Sequence, residues 1–170
     1  MNVKSFRTLA VTTLFAAAPL VSSAVVSAGS ASANLAVSAS VANNCTISAN
    51  AISFGSYDPI VAQATANLDA AGSVVVTCTK GATTTIGLDT GANASAGVRR
   101  LGSAGNYLTY ELYQDSSRST VWSNTGAGLL TVAAAPSKAA RTYSVYARMT
   151  GGQDVPAGTY TDTVVATVNF

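Results

Sequence analysis

The sequence YTDTVVATVNF, residues 160–170, has the pattern of a β-strand with two different faces. From position 164 onward its even-numbered residues are apolar, namely Val164, Ala166, Val168 and Phe170. Side chains alternate between the two faces of a strand, so this face is predicted to lie against a core, with Asp162 as its one polar member. The pattern runs to the last residue, and we expect another strand, from this chain or from another molecule, to cover its open edge.

A second alternating segment stands near the beginning, at residues 34–43. Every second position in it is apolar, namely Leu35, Val37, Ala39 and Val41. This pattern predicts a strand of modest hydrophobicity. No turn sequence joins it to a neighbour before Asn43 and Asn44.

Between these two segments the chain consists of short alternating or apolar runs separated by Gly, Pro and Asn turns. Examples are SVVVTCT, YLTYELY and TYSVYARM, which begin at Ser73, Tyr107 and Thr142. Past the leader no stretch has helical spacing over three turns. About six to eight short strands of this kind predict an all-β protein, an antiparallel β-sandwich of immunoglobulin-like type.

The first 33 residues are predicted to be a secretory signal peptide, followed by a single domain over residues 34–170. Lys4 and Arg7 precede an uncharged apolar run from Leu9 to Val21, which is shorter than the roughly 20 residues that span a bilayer as a helix. Small residues follow, and cleavage is expected between positions 24 and 33. We therefore expect the chain to be exported, without stable membrane insertion.

Removing this leader changes the charge of the protein. The chain has nine Lys and Arg and seven Asp and Glu; loss of Lys4 and Arg7 leaves seven of each sign. A net charge near zero with no basic stripe argues against nucleic-acid binding. The two cysteines, Cys45 and Cys78, lie in the exported part, where a disulfide between them is expected.

The residues give no positive case for an enzyme, and no catalytic residue, cofactor or metal site is predicted. The chain has no His, so the usual base of a serine nucleophile is missing. Asp89-Thr90-Gly91 resembles the active-site turn of aspartic proteases, but it occurs once and is also a common turn. Arg99 and Arg100 are interpreted as a surface pair in a loop. Trp122 and the tyrosines are interpreted as core residues, with a carbohydrate-binding patch as the alternative.

Five segments in order resemble the spore coat protein U domain family, which includes subunits of archaic, Csu-type chaperone–usher pili. They are NNCTISA, FGSYD, VVVTCT, YLTYELYQDSSRSTVW and the terminal GTYTDTVVATVNF. The resemblance implies an immunoglobulin-like sandwich that lacks its last strand. A periplasmic chaperone would lend that strand during export. At an outer-membrane usher, the N-terminal strand of the next subunit, another copy or a related pilin, would replace it.

Carried over by position, the resemblance assigns residues 34–43 as the donor strand, with Leu35, Val37, Ala39 and Val41 as the donor residues. The acceptor and chaperone-contacting strand would be the terminal one, with Val164, Ala166, Val168 and Phe170 towards the core. The implied function is a structural subunit of a surface fimbrium, serving attachment or biofilm formation. The rival is a secreted coat protein whose own N-terminal strand completes the sheet; a carbohydrate-binding module and an aspartic-type hydrolase are further alternatives.

Overall fold

The computed structural model describes residues 24–170, and these contain eight β-strands and a 3₁₀ turn at Gly126–Gly128. The strands are β1 (Cys45–Asn50), β2 (Leu68–Cys78), β3 (Thr84–Leu88), β4 (Arg99–Ser103), β5 (Asn106–Tyr113), β6 (Leu130–Val132), β7 (Arg141–Met149) and β8 (Ala166–Asn169). All of them lie in the compact unit Ser40–Phe170. The other unit ends at Ala39, and its described residues 24–39 have no helix or strand. Most of the predicted signal peptide falls on residues 1–23, outside the described part.

The strands form two antiparallel sheets, so the all-β prediction is confirmed. One sheet has five strands in the order β1-β2-β7-β5-β4, and the other has three in the order β6-β3-β8. Apolar side chains alternate inward along β2, β5 and β7, as in Val74 and Val76, Leu108 and Leu112, or Val145 and Ala147. Together with Ile86 and Leu88 of β3 and the fully buried Trp122, they form one core between the sheets.

Strand β2 begins earlier than the sequence pattern predicts. The alternation is clear only from Ser73, yet Leu68–Gly72 pairs with β7, starting at Leu68 opposite Met149. This first half contains Asp69, two alanines and Gly72, which have low β propensity. Its pairing is set by the long neighbouring strand, and a Cβ at Gly72 would lie only 2.5 Å from Ile52 Cγ1.

The region from Arg99 to Ser103, predicted as part of a loop, is strand β4, and the surface placement of Arg99 is wrong. Arg99 is 2% exposed and points into the sandwich, whereas Arg100 stacks over the Tyr107 ring at 4.0 Å. The Arg99 guanidinium donates to the backbone carbonyls of Leu88, Asp89 and Trp122 at 2.7–2.9 Å and is paired with Glu111. A buried arginine is tolerated where its donors are satisfied in this way.

Within residues 24–170, the structure has no helix long and apolar enough to cross a membrane. The same residues contain no group of three or more His, Cys, Asp or Glu side chains placed to hold a metal ion.

Candidate functional site

A groove of about 370 Å³ opens between the two sheets, and its walls are strands at the sheet edges. One wall is the end of β1 with the residues that follow it, from Ala49 to Ile52; the other is Asp162–Val164 with Ala166 of β8. Core side chains of the inner strands form its floor, namely Val74, Leu88, Tyr110, Leu112 and Val145. The hydrophobic core therefore extends to the surface along this line.

The wall formed by β8 has an open edge. Strand β8 pairs with β3 on one side, in the register Ile86 opposite Val168, and no described strand pairs with its other side. Upstream of β8, the odd-numbered residues use their main-chain groups on the β3 side: Thr163 O accepts from Ala92 N and Val165 O from Asp89 N, both at 3.0 Å. Successive residues of a strand direct these groups to opposite sides. The N–H and C=O groups of the even-numbered residues therefore face the groove.

The same even-numbered residues point their side chains inward. Val164, Ala166 and Val168 are half-buried and pack against the core, whereas Val165 on the other face is exposed. Phe170 differs from the expectation that it faces the core, because it is 56% exposed. Strand β8 ends at Asn169, and Phe170 lies beyond the last paired residue of the sheet.

Asp162 provides a polar group at one end of the groove. One carboxylate oxygen, Oδ2, accepts from the Tyr110 hydroxyl at 2.7 Å, and Oδ1 accepts from the backbone N–H of Asn93 at 3.0 Å and from its side-chain amide at 3.3 Å. Burial, together with the hydrogen bond to Asp162, raises the pKa of the Tyr110 hydroxyl well above its usual value. Tyr110 thus stays protonated and donates this hydrogen bond to Asp162 over the physiological pH range.

The predicted donor residues lie in a segment without strand structure. Residues 24–44 have no assigned helix or strand, and the larger donor side chains are strongly exposed: Leu35 and Val37 at 87%, and Val41 at 84%. Three residues, Ala42 to Asn44, separate Val41 from the start of β1. Within them, Asn44 N donates to Thr79 Oγ1 at 3.1 Å, and Thr79 N donates to Asn44 O at 2.9 Å. These two bonds fix the point at which the segment joins the sandwich.

The disulfide prediction is confirmed. Cys45 and Cys78 are bonded, and they face each other as the first residue pair of the β1–β2 ladder. The bridge thus ties the first residue of the edge strand β1 to the buried end of β2, where Cys78 is 3% exposed.

The part of the chain that forms the groove matches a protein-family model. The model for the Spore Coat Protein U domain matches residues 31–167, which is most of the chain. The chain belongs to the Spore Coat Protein U domain family. The match begins before Asn34, the first residue of the predicted donor segment, and continues into β8, so it includes both walls of the groove and the predicted donor residues.

One relative and one solved structure are similar to this Spore Coat Protein U domain chain. It is 39% identical to Protein U of Myxococcus xanthus over 95% of this chain and 97% of that protein. Its fold is similar to that in the chaperone–tip adhesion subunit pre-assembly complex from archaic chaperone–usher Csu pili of Acinetobacter baumannii, with a TM-score of 0.56 and 23% identity. That likeness covers 76% of this chain but 40% of the solved chain, and it shows the fold alone.

The aspartic-protease-like turn has a structural use in this family member. Asp89 Oδ1 accepts hydrogen bonds from Gly91 N and from Val165 N, both at 2.9 Å. The carboxylate therefore closes its own turn and fastens the segment that leads into β8. Among residues 24–170, no second aspartate is hydrogen-bonded to this carboxylate.

The aromatic residues divide between the core and the surface. Trp122 is completely buried, and its indole N–H donates to Ile86 O at 2.9 Å. Tyr107, in contrast, is exposed on the outer face of β5. The core interpretation holds for Trp122, and these two rings do not form one patch.

Two contributors to the site were missed by the sequence analysis as functional residues, Asp162 and Tyr110. Asp162 appears in the sequence only as a flaw in an apolar face. Asp162 lies on the same face of the strand as the inward-pointing residues, and this was the available signal of a functional role. A carboxylate that points inward requires a hydrogen-bond partner. Nothing in the sequence identifies Tyr110 as that partner, because the two residues are far apart along the chain.

Proposed function

We propose that this chain is a structural subunit of a surface fimbrium, assembled by the chaperone–usher route through donor-strand exchange. The observation that carries the proposal is the groove between β1 and β8. Its floor is the apolar core, and its β8 wall presents main-chain groups that no described strand satisfies. An added strand would supply both the missing hydrogen bonds and the missing apolar side chains.

The segment of residues 34–43 is the proposed donor. Its apolar residues recur at every second position and are exposed in the structure, as the residues of an unbound donor would be. Burial of a Val or Leu side chain contributes about 1.5–3 kcal/mol. Three such residues and Ala39 would thus contribute on the order of 5–9 kcal/mol before the cost of ordering the segment, which is comparable to the stability of a domain.

The groove would have successive occupants. During export the leader of residues 1–33 would be removed, and a strand lent by a periplasmic chaperone would cover the β8 edge. At an outer-membrane usher the donor segment of the next subunit would displace that strand. The family membership and the fold shared with a chaperone-bound Csu pilus subunit support this sequence of partners. The assembled fimbrium would serve attachment and biofilm formation.

The test is a pair of aspartate substitutions on the two faces of the donor segment. In Val37→Asp a charge would have to enter the apolar groove, so we expect the subunit ladders on non-boiled denaturing gels to disappear while export continues. Ser38→Asp places the same charge on the opposite face and should leave the ladders intact. Unchanged ladders in Val37→Asp, with normal levels of exported subunit, would remove the proposal.

A second candidate function is a secreted coat protein that completes its own sheet, and the relationship to Protein U favours it. Deleting residues 34–42 distinguishes the two functions. In a self-complete coat protein the deletion would lower the unfolding temperature of the monomer and the wild type would form no ladders. In a fimbrial subunit the deleted chain would still accept a donor from a wild-type copy and would end the ladder.

A further inference from the structure

We propose that Asn43 of the incoming donor segment binds Asp162 of the acceptor, and that this polar pair fixes the direction and register of the added strand. The inference rests on the proposed function and specifies its binding site. The partner is a second copy of this chain. Asn43 has the same parity as the donor residues and is exposed in the structure, and Asp162 lies at one end of the groove.

The two segments have matching patterns when they are aligned antiparallel. Placing Asn43 opposite Asp162 determines every further pair of inward-facing residues. In an antiparallel ladder, a move of two residues back along the donor corresponds to a move of two residues forward along the terminal strand. The resulting pairs are Val41 with Val164, Ala39 with Ala166, Val37 with Val168 and Leu35 with Phe170. In this register Val and Leu lie opposite Val and Phe, Ala39 lies opposite Ala166, and the polar Asn43 lies opposite the polar Asp162.

Other alignments that keep the apolar faces together fail at Asp162. A shift by two residues in one direction places Val41 opposite Asp162, and a shift in the other direction places Asn43 opposite Val164. A parallel strand would place Leu35 opposite Asp162 and Asn43 opposite Phe170. Each of these alignments covers a polar group with an apolar one without supplying a hydrogen bond, which is unfavourable.

Asp162 has the capacity for one more donor. A carboxylate offers about four acceptor positions. Three are used within the described chain, two by Asn93 on Oδ1 and one by the Tyr110 hydroxyl on Oδ2. The remaining position on Oδ2 is the one assigned to the side-chain N–H of Asn43. The pair also accounts for the carboxylate on an otherwise apolar face.

The geometry of β1 separates this arrangement from a segment folded back onto its own body. Successive antiparallel pairings lead from β1 through β2, β7, β5 and β4 to Thr161, which forms an antiparallel bridge with Gly102. Five reversals of direction separate β1 from this segment, so β1 runs opposite to the segment that leads into β8. The donor segment directly precedes β1. Folded back against β1 as a hairpin, it would run parallel to β8, whereas a segment from a second copy is free to run antiparallel to it.

A charge exchange tests the polar pair. In Asn43→Asp two carboxylates would face each other, and we expect the ladders on non-boiled gels at pH 7 to fall by at least about tenfold. Asp162→Asn alone keeps an acceptor oxygen for Asn93, and its denaturant midpoint checks that the acceptor domain is folded. The double variant Asn43→Asp/Asp162→Asn should regain the ladders. Ladders unaffected by Asn43→Asp, or not regained in the double variant, would overturn the inference.

Cysteine pairs in the full-length chain test the register directly. Val37→Cys/Val168→Cys should give ladders that survive boiling without reductant, since opposed residues of a ladder lie within disulfide distance. Val37→Cys/Ala166→Cys reports a register shifted by two, and Val37→Cys/Val164→Cys reports a parallel strand. Cross-linked ladders in either of these two, and not in the first, would refute the register while leaving the proposed function standing. Absence of ladders in the wild type contradicts the proposed function itself.

Discussion

The carboxylate of Asp89 accepts a hydrogen bond from the backbone N–H of Val165 at 2.9 Å, and Asp89 N donates to Val165 O at 3.0 Å. A side chain thus replaces the main-chain acceptor that a regular ladder would provide at this position. The contact joins the turn after β3 to the segment before β8. It therefore supports the wall of the groove from the side that faces away from the open edge.

Replacing Asp89 should loosen this wall. Asp89→Ala leaves Val165 N and Gly91 N without their acceptor, and we expect a loss of about 1–3 kcal/mol in the free energy of unfolding. Asp89→Asn retains an acceptor oxygen and should lose less. Denaturant unfolding of the purified subunit measures both, with the exposed Asp154→Ala as a control. Equal stability of Asp89→Ala and the wild type would contradict this account of the turn.

Arg99 should be the most sensitive charged residue of the core. Arg99→Leu would remove the donor of the Leu88 and Trp122 carbonyls and the ion-pair partner of Glu111. Removing one partner of such a buried charged network costs about 3–5 kcal/mol. Arg100→Leu is the matched control on the neighbouring outward position, with an expected cost within about 1 kcal/mol. A denaturation midpoint for Arg99→Leu close to that of Arg100→Leu would show that the carbonyl contacts are unimportant.

The disulfide should contribute a large part of the subunit's stability. Cys45 and Cys78 are 33 residues apart in sequence, and closing a loop of this length stabilises the folded state by about 4 kcal/mol in the chain-entropy model. The double variant Cys45→Ser/Cys78→Ser should therefore unfold at a lower denaturant concentration. Reductant should shift the wild type to the same midpoint and leave the double variant unchanged. A midpoint of the wild type that ignores reductant would refute the expectation.

Acid should weaken a charge cluster on the outer face of the larger sheet. Asp69 accepts two hydrogen bonds from Arg148, at 2.7 and 2.9 Å, and lies 3.2 Å from Arg118. The hydrogen bonds from Arg148 hold the pKa of Asp69 below its usual 3.8. Stability from a lowered carboxylate pKa is present above the unfolded pKa and is lost as the pH falls through the folded one.

We therefore expect the unfolding temperature to decrease below about pH 4, partly through Asp69. Asp69→Asn should be less stable than the wild type at pH 7 and should lose less stability on acidification. Thermal unfolding from pH 7 to pH 2 measures this difference in slope. Parallel curves for the two proteins would show that Asp69 takes no part in the acid response.

The strands that alternate over many residues could be predicted from the sequence, because their signal is local. The inward side of Val164, Ala166 and Val168 is an example. The pairing of Cys45 with Cys78 could be predicted for a different reason, because the chain has two cysteines. The burial of Arg99 could not be predicted, since its acceptors belong to β3 and to Trp122, which are distant in sequence. From the sequence alone, a charged residue is predicted to be exposed, because the carbonyl groups that could accept its hydrogen bonds are not known.

The extent of the terminal strand also separates what the sequence pattern predicts from what it does not. The alternating pattern marks residues 160–170 as one strand, whereas the regular β3 ladder covers only Ala166–Asn169. Upstream of it, main-chain partners come from a turn, at Asp89 and Ala92. Side-chain periodicity reports which face a residue occupies; it does not report which partner its backbone meets. Phe170 continues the periodicity beyond the last paired residue and is exposed as a result.

The attachment of the donor segment has a mechanical consequence. Tension along a fibre assembled as proposed would enter each subunit through Asn44, which is hydrogen-bonded to the side-chain hydroxyl and the backbone N–H of Thr79. The next residue, Cys45, is covalently tied to β2. The force would pass at once from the edge strand β1 into its neighbour β2, so peeling β1 away would not release it. Extension of the fibre would then have to come from donor strands sliding out of their grooves, with each sandwich remaining folded under load.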